Sequence, residues 1–308
     1  MNEISCAVVT GPTGVVGTSL IDELVRQGVE VYAVHRPDSA RVVVIPRCDS
    51  VHAVPCDLHE IDRLPGLIDK PVDAFFHLAW SGTFGPTRQD WLRQERNIAF
   101  TLMAVEAAKE LGCSVFVGAG SQSEFGHVEG VLSPDLPCNP DNGYGAAKLA
   151  ASVMSRALCS HLDMRHIWCR IVSIFGPRDA GHSLVMSCIR ELSQTGHFAC
   201  TPGDQIWDYL FCEDAARALY LAAREGRDGA VYVVGSGQVR PLRDFVCIIR
   251  DAVDPTATLG FGELPYYPNQ VMHLEADITS LTSDTGFVPS WSFVEGIKKT
   301  VDWYKSRQ

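Results

Sequence analysis

Short β-branched and apolar runs alternate with longer stretches of helical period through the first half of the chain. The runs Ser5 to Thr10, Glu30 to His35, Val51 to Pro55, Ala74 to Leu78 and Ser114 to Gly118 are short enough and apolar enough to be buried strands. Between them, Gly17 to Gln27 and Ile98 to Leu111 read as helices, with Leu102, Val105 and Ala108 recurring near the 3.6-residue period in the second. Strand and helix in alternation predict βαβ units and a parallel sheet, so the expected class is α/β with a doubly wound sheet. After about residue 160 the alternation loosens. Arg165 to Ile174 and Ala230 to Val234 still read as buried parallel strands, while Gly176 to Thr201 and Asp251 to Pro289 carry denser Pro, Gly and polar punctuation. The expected organisation is a core over 1–160, with 161–308 completing the sheet and adding a smaller substrate-binding lobe, interleaved with the core and leaving a crevice between the two. The amphipathic stretch Phe293 to Ser306 closes the chain as a helix whose expected role is docking.

Composition narrows the class without changing the fold. The 308 residues are 46% hydrophobic and 20% charged, proportions of a globular chain. Lys and Arg number 26 against 37 Asp and Glu, a formal charge of -11, which is the wrong sign for a nucleic-acid or anionic-membrane partner. No apolar run approaches the length of about 18 residues needed to span a bilayer, so a soluble, cytoplasmic protein is expected. The 11 cysteines include no CxxC pair and no cluster with His at zinc-ligand spacing. They are expected to be mostly buried apolar residues in a reducing compartment, and no metal site is expected.

The first strand runs into Gly11-Pro12-Thr13-Gly14-Val15-Val16-Gly17 and then into a helix. Glycines there let the backbone turn tightly and approach a pyrophosphate, whose charge the helix N-terminal amides meet. In this context the pattern points to a Rossmann-like dinucleotide site. A fold that prefers NAD usually ends its second strand on an Asp or Glu that binds the ribose hydroxyls. Here that strand ends His35-Arg36, with Arg41 nearby and no carboxylate before Asp38. Guanidinium matches a 2′-phosphate, so NADP is favoured over NAD.

Tyr144-Gly145-Ala146-Ala147-Lys148 places a phenol and an ammonium at i, i+4 on one helix face, where a cation lowers the phenol pKa towards working pH. Upstream, Ser121 in Gly120-Ser121-Gln122-Ser123-Glu124-Phe125-Gly126 falls at a strand's carboxyl end, where sites form in open sheets. With these residues in hand, nearly the whole chain resembles the extended short-chain dehydrogenase/reductases, in particular their nucleotide-sugar epimerases, dehydratases and ketoreductases. The resemblance is carried by Thr10 to Gly17, Cys56 to Leu58, His77 to Trp80, Asn97, the Ser121, Tyr144 and Lys148 set, Arg170 to Pro177 and Trp207 to Ala216.

The resemblance implies a role for each matching position. Gly11, Thr13, Gly14, Val15, Val16 and Gly17 would meet the pyrophosphate, His35 and Arg36 the adenosine ribose, Asp57 and Leu58 the adenine. Leu78, Ala79 and Asn97 would line the cofactor and Val172 would lie beside the nicotinamide. Tyr144 would be the acid/base, Lys148 would bind the nicotinamide ribose and lower the Tyr144 pKa, and Ser121 would orient the substrate oxygen. Ser81, Ser121, Ser173, Trp207 and Tyr267 would touch substrate.

Three departures shape the functional reading. The family's dehydratases carry Asp-Glu after the Ser/Thr position, whereas Gln122-Ser123 stand here and neither is a carboxylic acid. Where members that hold a nucleoside diphosphate use arginines, this chain has Trp207 and the Tyr266-Tyr267-Pro268 stretch; Arg178, Arg240 or Arg243 are left to supply charge from elsewhere. Ser173 replaces a common Asn. The first reading is an NADPH-dependent reduction of a keto-deoxy sugar, nucleotide-linked, with Tyr144 as acid/base. The alternatives are a nucleotide-sugar 4-epimerase with retained NAD and a dinucleotide sensor without catalysis. The resemblance also implies a homodimer through Ile98 to Leu111 and Tyr144 to Leu158.

Overall fold

Alternation along β1 and β2 sends successive side chains to opposite faces of one sheet, and both faces are covered by helices. In the computed structural model, which describes residues 3–268 and 270–307, the elements begin β1 (Cys6–Thr10), α1 (Val15–Arg26), β2 (Glu30–His35), β3 (Val51–Pro55), β4 (Ala74–His77), α2 (Trp91–Glu110) and β5 (Val115–Ser121). β6 (Gly130–Leu132), α3 (Gly143–His161), β7 (Arg165–Ile171), β8 (Ser173–Phe175), α4 (Leu184–Thr195), β9 (His197–Cys200), β10 (Ile206–Phe211) and α5 (Cys212–Glu225) follow. The chain ends with β11 (Val231–Val234), β12 (Val239–Pro241), α6 (Leu242–Val253), β13 (Thr258–Phe261), β14 (Leu274–Ala276), α7 (Thr279–Thr285) and α8 (Phe293–Lys305).

Seven strands form one parallel sheet in the order β11-β7-β5-β4-β1-β2-β3, the Rossmann-like arrangement. The order reverses between β1 and β4, and a crevice forms at the carboxyl ends of strands at such a switch. Ala7, Val9, Val31 and Ala33 pack with Leu20, Leu24 and Leu219 of α1 and α5, while Cys6, Val8, Tyr32 and Val34 join the core of Val105, Ala108 and Cys159 under α2 and α3. Eight of the 11 cysteines are buried and Cys48 is exposed. Among the described residues no helix is long and apolar enough to cross a membrane.

Three expected elements change extent, each for a physical reason. α2 begins seven residues before Ile98 because Asp90 caps it, accepting from the Arg93 amide at 3.1 Å. Its first turns bury Gln94 and Asn97 in place of apolar residues, so the periodicity starts late. β5 continues past Gly118 to Ser121; a side chain at Gly118 or Gly120 would overlap the Trp168 indole, so these glycines permit a close approach instead of ending the strand. The expected strand from Arg165 to Ile174 is two strands. Val172 still donates to the Val234 carbonyl (3.0 Å), but Ser173 to Phe175 pair with Tyr209 to Phe211, so the chain leaves the large sheet for a small one.

That small sheet, β12-β10-β8, and the pair β13-β9 lie against α4, α6 and α8. Their core holds Phe175, Phe211, Phe245 and Phe293, with Ile297 and Val301 of α8 docked into it. A further pair, β14-β6, packs Leu132, Leu274 and Ala276 against Phe125.

Candidate active site

The crevice floor is built from backbone. Gly11 has φ +70°, and a Cβ there would stand 2.8 Å from the Ala79 nitrogen; a methyl on Gly17 would overlap the Gly11 carbonyl oxygen. A Cβ on Gly14 would make only an ordinary contact, 3.7 Å from the Gly11 carbonyl oxygen, and α1 starts there with no side-chain cap and no acidic residue in its first turn. Its first amides are therefore free to receive an anion, and the glycine cradle fits the pyrophosphate of a dinucleotide.

Thr10, fully buried at the end of β1, ties the floor to β4. Its Oγ1 accepts from the Leu78 and Ala79 amides at 3.1 and 3.2 Å, leaving its own proton for His77 Nδ1 at 3.1 Å. His77 then carries its proton on Nε2, facing Thr101 Oγ1 at 3.4 Å, and Thr101 donates to the Asn97 carbonyl at 2.8 Å. Burial, with the Lys148 charge adding to it, pushes His77 down to about 3, so the ring stays neutral. Asn97 continues the chain: its Oδ1 accepts from the Ser81 amide and its Nδ2 donates to the Ser81 carbonyl, both at 2.9 Å. The structure thus gives Asn97 the role of bracing the turn after Ala79.

At the adenosine end, His35 is half-buried and its Nδ1 lies 2.8 Å from the Arg36 carbonyl oxygen. Arg36 is exposed. Leu58 is half-buried against the core beneath. Burial pushes the neighbouring Asp57 carboxyl up, but the His59 amide and ring and the Arg36 guanidinium outweigh it and hold Asp57 below its ordinary value. Arg36 and Asp57 therefore address the same end of the crevice. Thr13, Val15 and Val16 are half-buried around the glycine turn.

Ser121, Tyr144 and Lys148 come together. Asn142 caps α3, accepting from the Gly145 amide at 2.9 Å, and a side chain on Gly145 would overlap the Ser123 carbonyl, so the first turn of α3 packs directly on the turn after β5. Ser121 Oγ accepts from the Ser123 amide at 3.2 Å, and its hydroxyl is near enough to the Tyr144 phenol to pull its pKa down. Burial raises the Tyr144 phenol above its ordinary value against the opposing pull of Ser121 and Arg88. Lys148 is buried, donates to the Ala119 carbonyl at 2.5 Å and lies 3.7 Å from the Trp80 ring centre; burial pushes it down to about 7 against the pull of Glu124. Its Nζ stands 6.0 Å from the Tyr144 ring centre, whereas the Arg88 guanidinium stands at 4.7 Å.

Sequence reasoning assigned no role to Arg88 or Glu124. Glu124 is fully buried; Oε1 accepts from the Ser121 amide (2.8 Å) and the Trp168 indole (3.0 Å), and Oε2 pairs with Arg170 (2.8 Å). The spacing Ser121-x-x-Glu124 is a capping-box signature that would have found it.

On the other wall, Val172 is half-buried and Ser173 accepts from the Trp207 indole at 2.9 Å. Trp207 also lines an apolar cavity of about 300 Å³ with Phe198, Tyr209, Leu242 and Phe261. Tyr267 stands at this cavity 78% exposed. Of the alternative cations, Arg178 pairs with Asp22 (3.4 Å), Arg240 lies over Phe245 (5.2 Å), and Arg243 lies over Phe261 (5.0 Å) with Asp204 3.9 Å away. Ser81 is exposed in the turn that Asn97 braces. The described residues contain no cluster of three or more His, Cys, Asp or Glu able to hold a metal.

A switch-point crevice with a glycine cradle and a Ser, Tyr and Lys set is the arrangement of a dinucleotide-dependent enzyme. The family model of the NAD dependent epimerase/dehydratase family matches residues 7–235, and the chain belongs to that family of extended short-chain dehydrogenase/reductase enzymes. It is 27% identical to a probable dTDP-glucose 4,6-dehydratase of Sinorhizobium fredii over 75% of this chain and 66% of that protein. Just under two thirds of that relative's length is thus spanned. It is 27% identical to the UDP-glucose 4-epimerase of Mycolicibacterium smegmatis over 97% of this chain and 98% of that one. The fold matches the solved UDP-N-acetylglucosamine 4-epimerase from Methanobrevibacter ruminantium with a TM-score of 0.88, 21% identity and full coverage of both chains.

Proposed function

We propose that the protein is an NADPH-dependent oxidoreductase that reduces a keto-deoxy sugar, nucleotide-linked, with Tyr144 as the proton donor. The observation that carries this reading is the gathering of Ser121, Tyr144 and Lys148 at the carboxyl end of β5, beside a turn whose one carboxylate is unavailable. Glu124 has both oxygens engaged and no exposure, and positions 122 and 123 are Gln and Ser, so this turn lacks the free acid and base that water elimination needs. Proton transfer at one hydroxyl remains within its means.

In this reading Gly11, Thr13, Gly14, Val15, Val16 and Gly17 hold the pyrophosphate, Asp57 and Leu58 the adenine, and Leu78, Ala79, Lys148 and Val172 the nicotinamide end. The nicotinamide supplies or accepts hydride when bound. Ser121 orients the sugar oxygen, Tyr144 gives it a proton, and Trp207 with Ser173 and the apolar cavity receive the rest of the substrate. Segment 1–160 then serves the cofactor and 161–308 the substrate. Arg36, exposed beside Asp57, supports NADP through charge-assisted bonds to a 2′-phosphate. Val153 and Met154 on α3, 51% and 47% exposed, support a homodimer through α2 and α3, and we place the enzyme in the cytoplasm.

A second reading, a nucleotide-sugar 4-epimerase with retained NAD, is favoured by the near full-length likeness to the M. smegmatis epimerase. One experiment separates them. Freshly purified protein is denatured, its released small molecules are identified by mass spectrometry, and the stripped protein is titrated with NAD and NADP. Exchangeable NADP(H) bound more tightly than NAD(H), and turnover lost by about 10²–10⁴ in Tyr144→Phe with cofactor binding kept, support reduction. Stoichiometric, retained NAD puts the epimerase first.

A further inference from the structure

The loop after β4 reaches across the crevice and ends against the catalytic tyrosine. Gly85-Pro86 opens a short turn, Gly85–Gln89, that carries Arg88 at its far end. Gln94, buried on α2, staples this loop by donating to the Gly82 carbonyl at 2.7 Å and the Thr87 carbonyl at 3.0 Å. The loop also rests on α3: Gln89 accepts from the Gly143 amide at 3.4 Å, and a Cβ on Gly143 would stand 3.0 Å from the Arg88 carbonyl oxygen. From this base the Arg88 guanidinium lies 4.7 Å from the Tyr144 ring centre and donates to Ser123 Oγ at 2.5 Å.

Three charged groups face Tyr144 from the elements around it. Glu124, from the turn after β5, is neutralised by Arg170. Lys148, from α3 itself, is farther from the ring and bonded to Ala119, and burial pushes it down. Arg88 is the nearer cation, and a guanidinium stays charged across the working range.

We propose that Arg88 is a positioning residue that fixes the Tyr144 phenol against Ser121 and stabilises the phenolate left when its proton moves to the sugar oxygen. This rests on the sugar-oxidoreductase reading. The step breaks the Tyr144 O–H bond and forms an O–H bond on the substrate oxygen, while the carbonyl carbon would gain its C–H bond from the hydride that a bound reduced nicotinamide supplies. The electron pair stays on the phenol oxygen, which water reprotonates. Arg88 also holds Ser123, at the position where a dehydratase carries a carboxylate, so one guanidinium helps acidify Tyr144 and occupies the elimination position.

The test begins without substrate. Tyrosinate absorbance of the cofactor-free protein is titrated for the wild type, R88Q and R88K, and the Tyr144→Phe curve in each background is subtracted to isolate Tyr144. Removing an opposite charge at this range is expected to raise the pH of Tyr144 ionisation by about one unit or more in R88Q, with most of the shift restored in R88K. If R88Q does not fold, R88K carries the test by a smaller shift in the same direction, since a point charge does not reproduce the stacked fork. Unchanged ionisation in the folded variants overturns the proposal. With a keto sugar turned over, R88Q is expected to lose about tenfold in kcat, with its alkaline limb moved up and KM little changed. A raised KM with the limb in place makes Arg88 a substrate-binding residue instead. A Tyr144 shift without turnover of any keto sugar overturns the functional reading and leaves the role of Arg88 standing.

Discussion

Around Gly11 and Gly17 backbone packs on backbone, and around Trp207 aromatic rings pack on one another. In the first region the Gly17 face abuts the Gly11 carbonyl and the Gly11 face abuts Ala79, so there is no room for one carbon. In the second, Phe175, Tyr209, Phe211, Phe245 and Phe293 meet with ring centres 4.5–6.1 Å apart in tilted and edge-on pairs, and an apolar cavity stays open beside them. Backbone contacts fix a ligand by position and allow no variation, whereas side-chain walls can be refitted by exchanging rings. The crevice therefore has one wall suited to a constant ligand and one suited to a changeable one.

The sharpest way to break this contrast is Gly17→Ala. The added methyl can be accommodated only by opening the turn, so about 1–3 kcal/mol of stability and on the order of 100-fold in cofactor affinity should be lost. Thermal melts and dinucleotide titration measure both, and near wild-type binding would show that the cradle is not close-packed. Trp207→Phe should act on the other wall alone. It removes the indole donor to Ser173, about 1 kcal/mol, raising the sugar KM roughly fivefold while cofactor Kd holds. Equal changes in both constants would mean that the two walls are coupled.

A separate effect is a pH dependence carried by two buried histidines of the large sheet, His77 on β4 and His166 on β7. Burial pushes His77 down to about 3 and His166 to about 4, below the ordinary 6.5. Between those values the unfolded chain binds protons that the folded chain does not. Stability is therefore present above pH 6.5 and lost as the pH falls through 6.5 towards 4, by up to about 1.4 kcal/mol per pH unit for each histidine. His166→Asn should flatten this slope in denaturant titrations between pH 7 and 4.5, whatever it does to stability at pH 7. An unchanged slope would assign the acid sensitivity elsewhere.

The legible parts of the molecule are those where a period survives. β2 and β3 match the apolar runs residue for residue, and Tyr144 and Lys148 meet Ser121 because i, i+4 spacing and a strand end leave little freedom. Legibility fails where polar groups are buried or the chain changes partner. Gln94 and Asn97 disguise the start of α2, Gly118 and Gly120 imitate a strand end while admitting Trp168, and Val172 carries the chain between sheets without any punctuation. Arg88 was the least legible of all. It sits in an aperiodic loop, and its place over Tyr144 follows from the Gln94 staple and the bare face of Gly143, neither visible one residue at a time.

Thr10 offers a last lesson. A hydroxyl owns a single proton, and two amides already point at this oxygen, so that proton has one destination and every donor from Thr10 through His77 to Asn97 faces the same way. The crevice floor is thereby held by an oriented sequence of bonds with one permitted sense. Valine has the outline of threonine and none of its polarity, so at this position two side chains of the same shape are not synonyms.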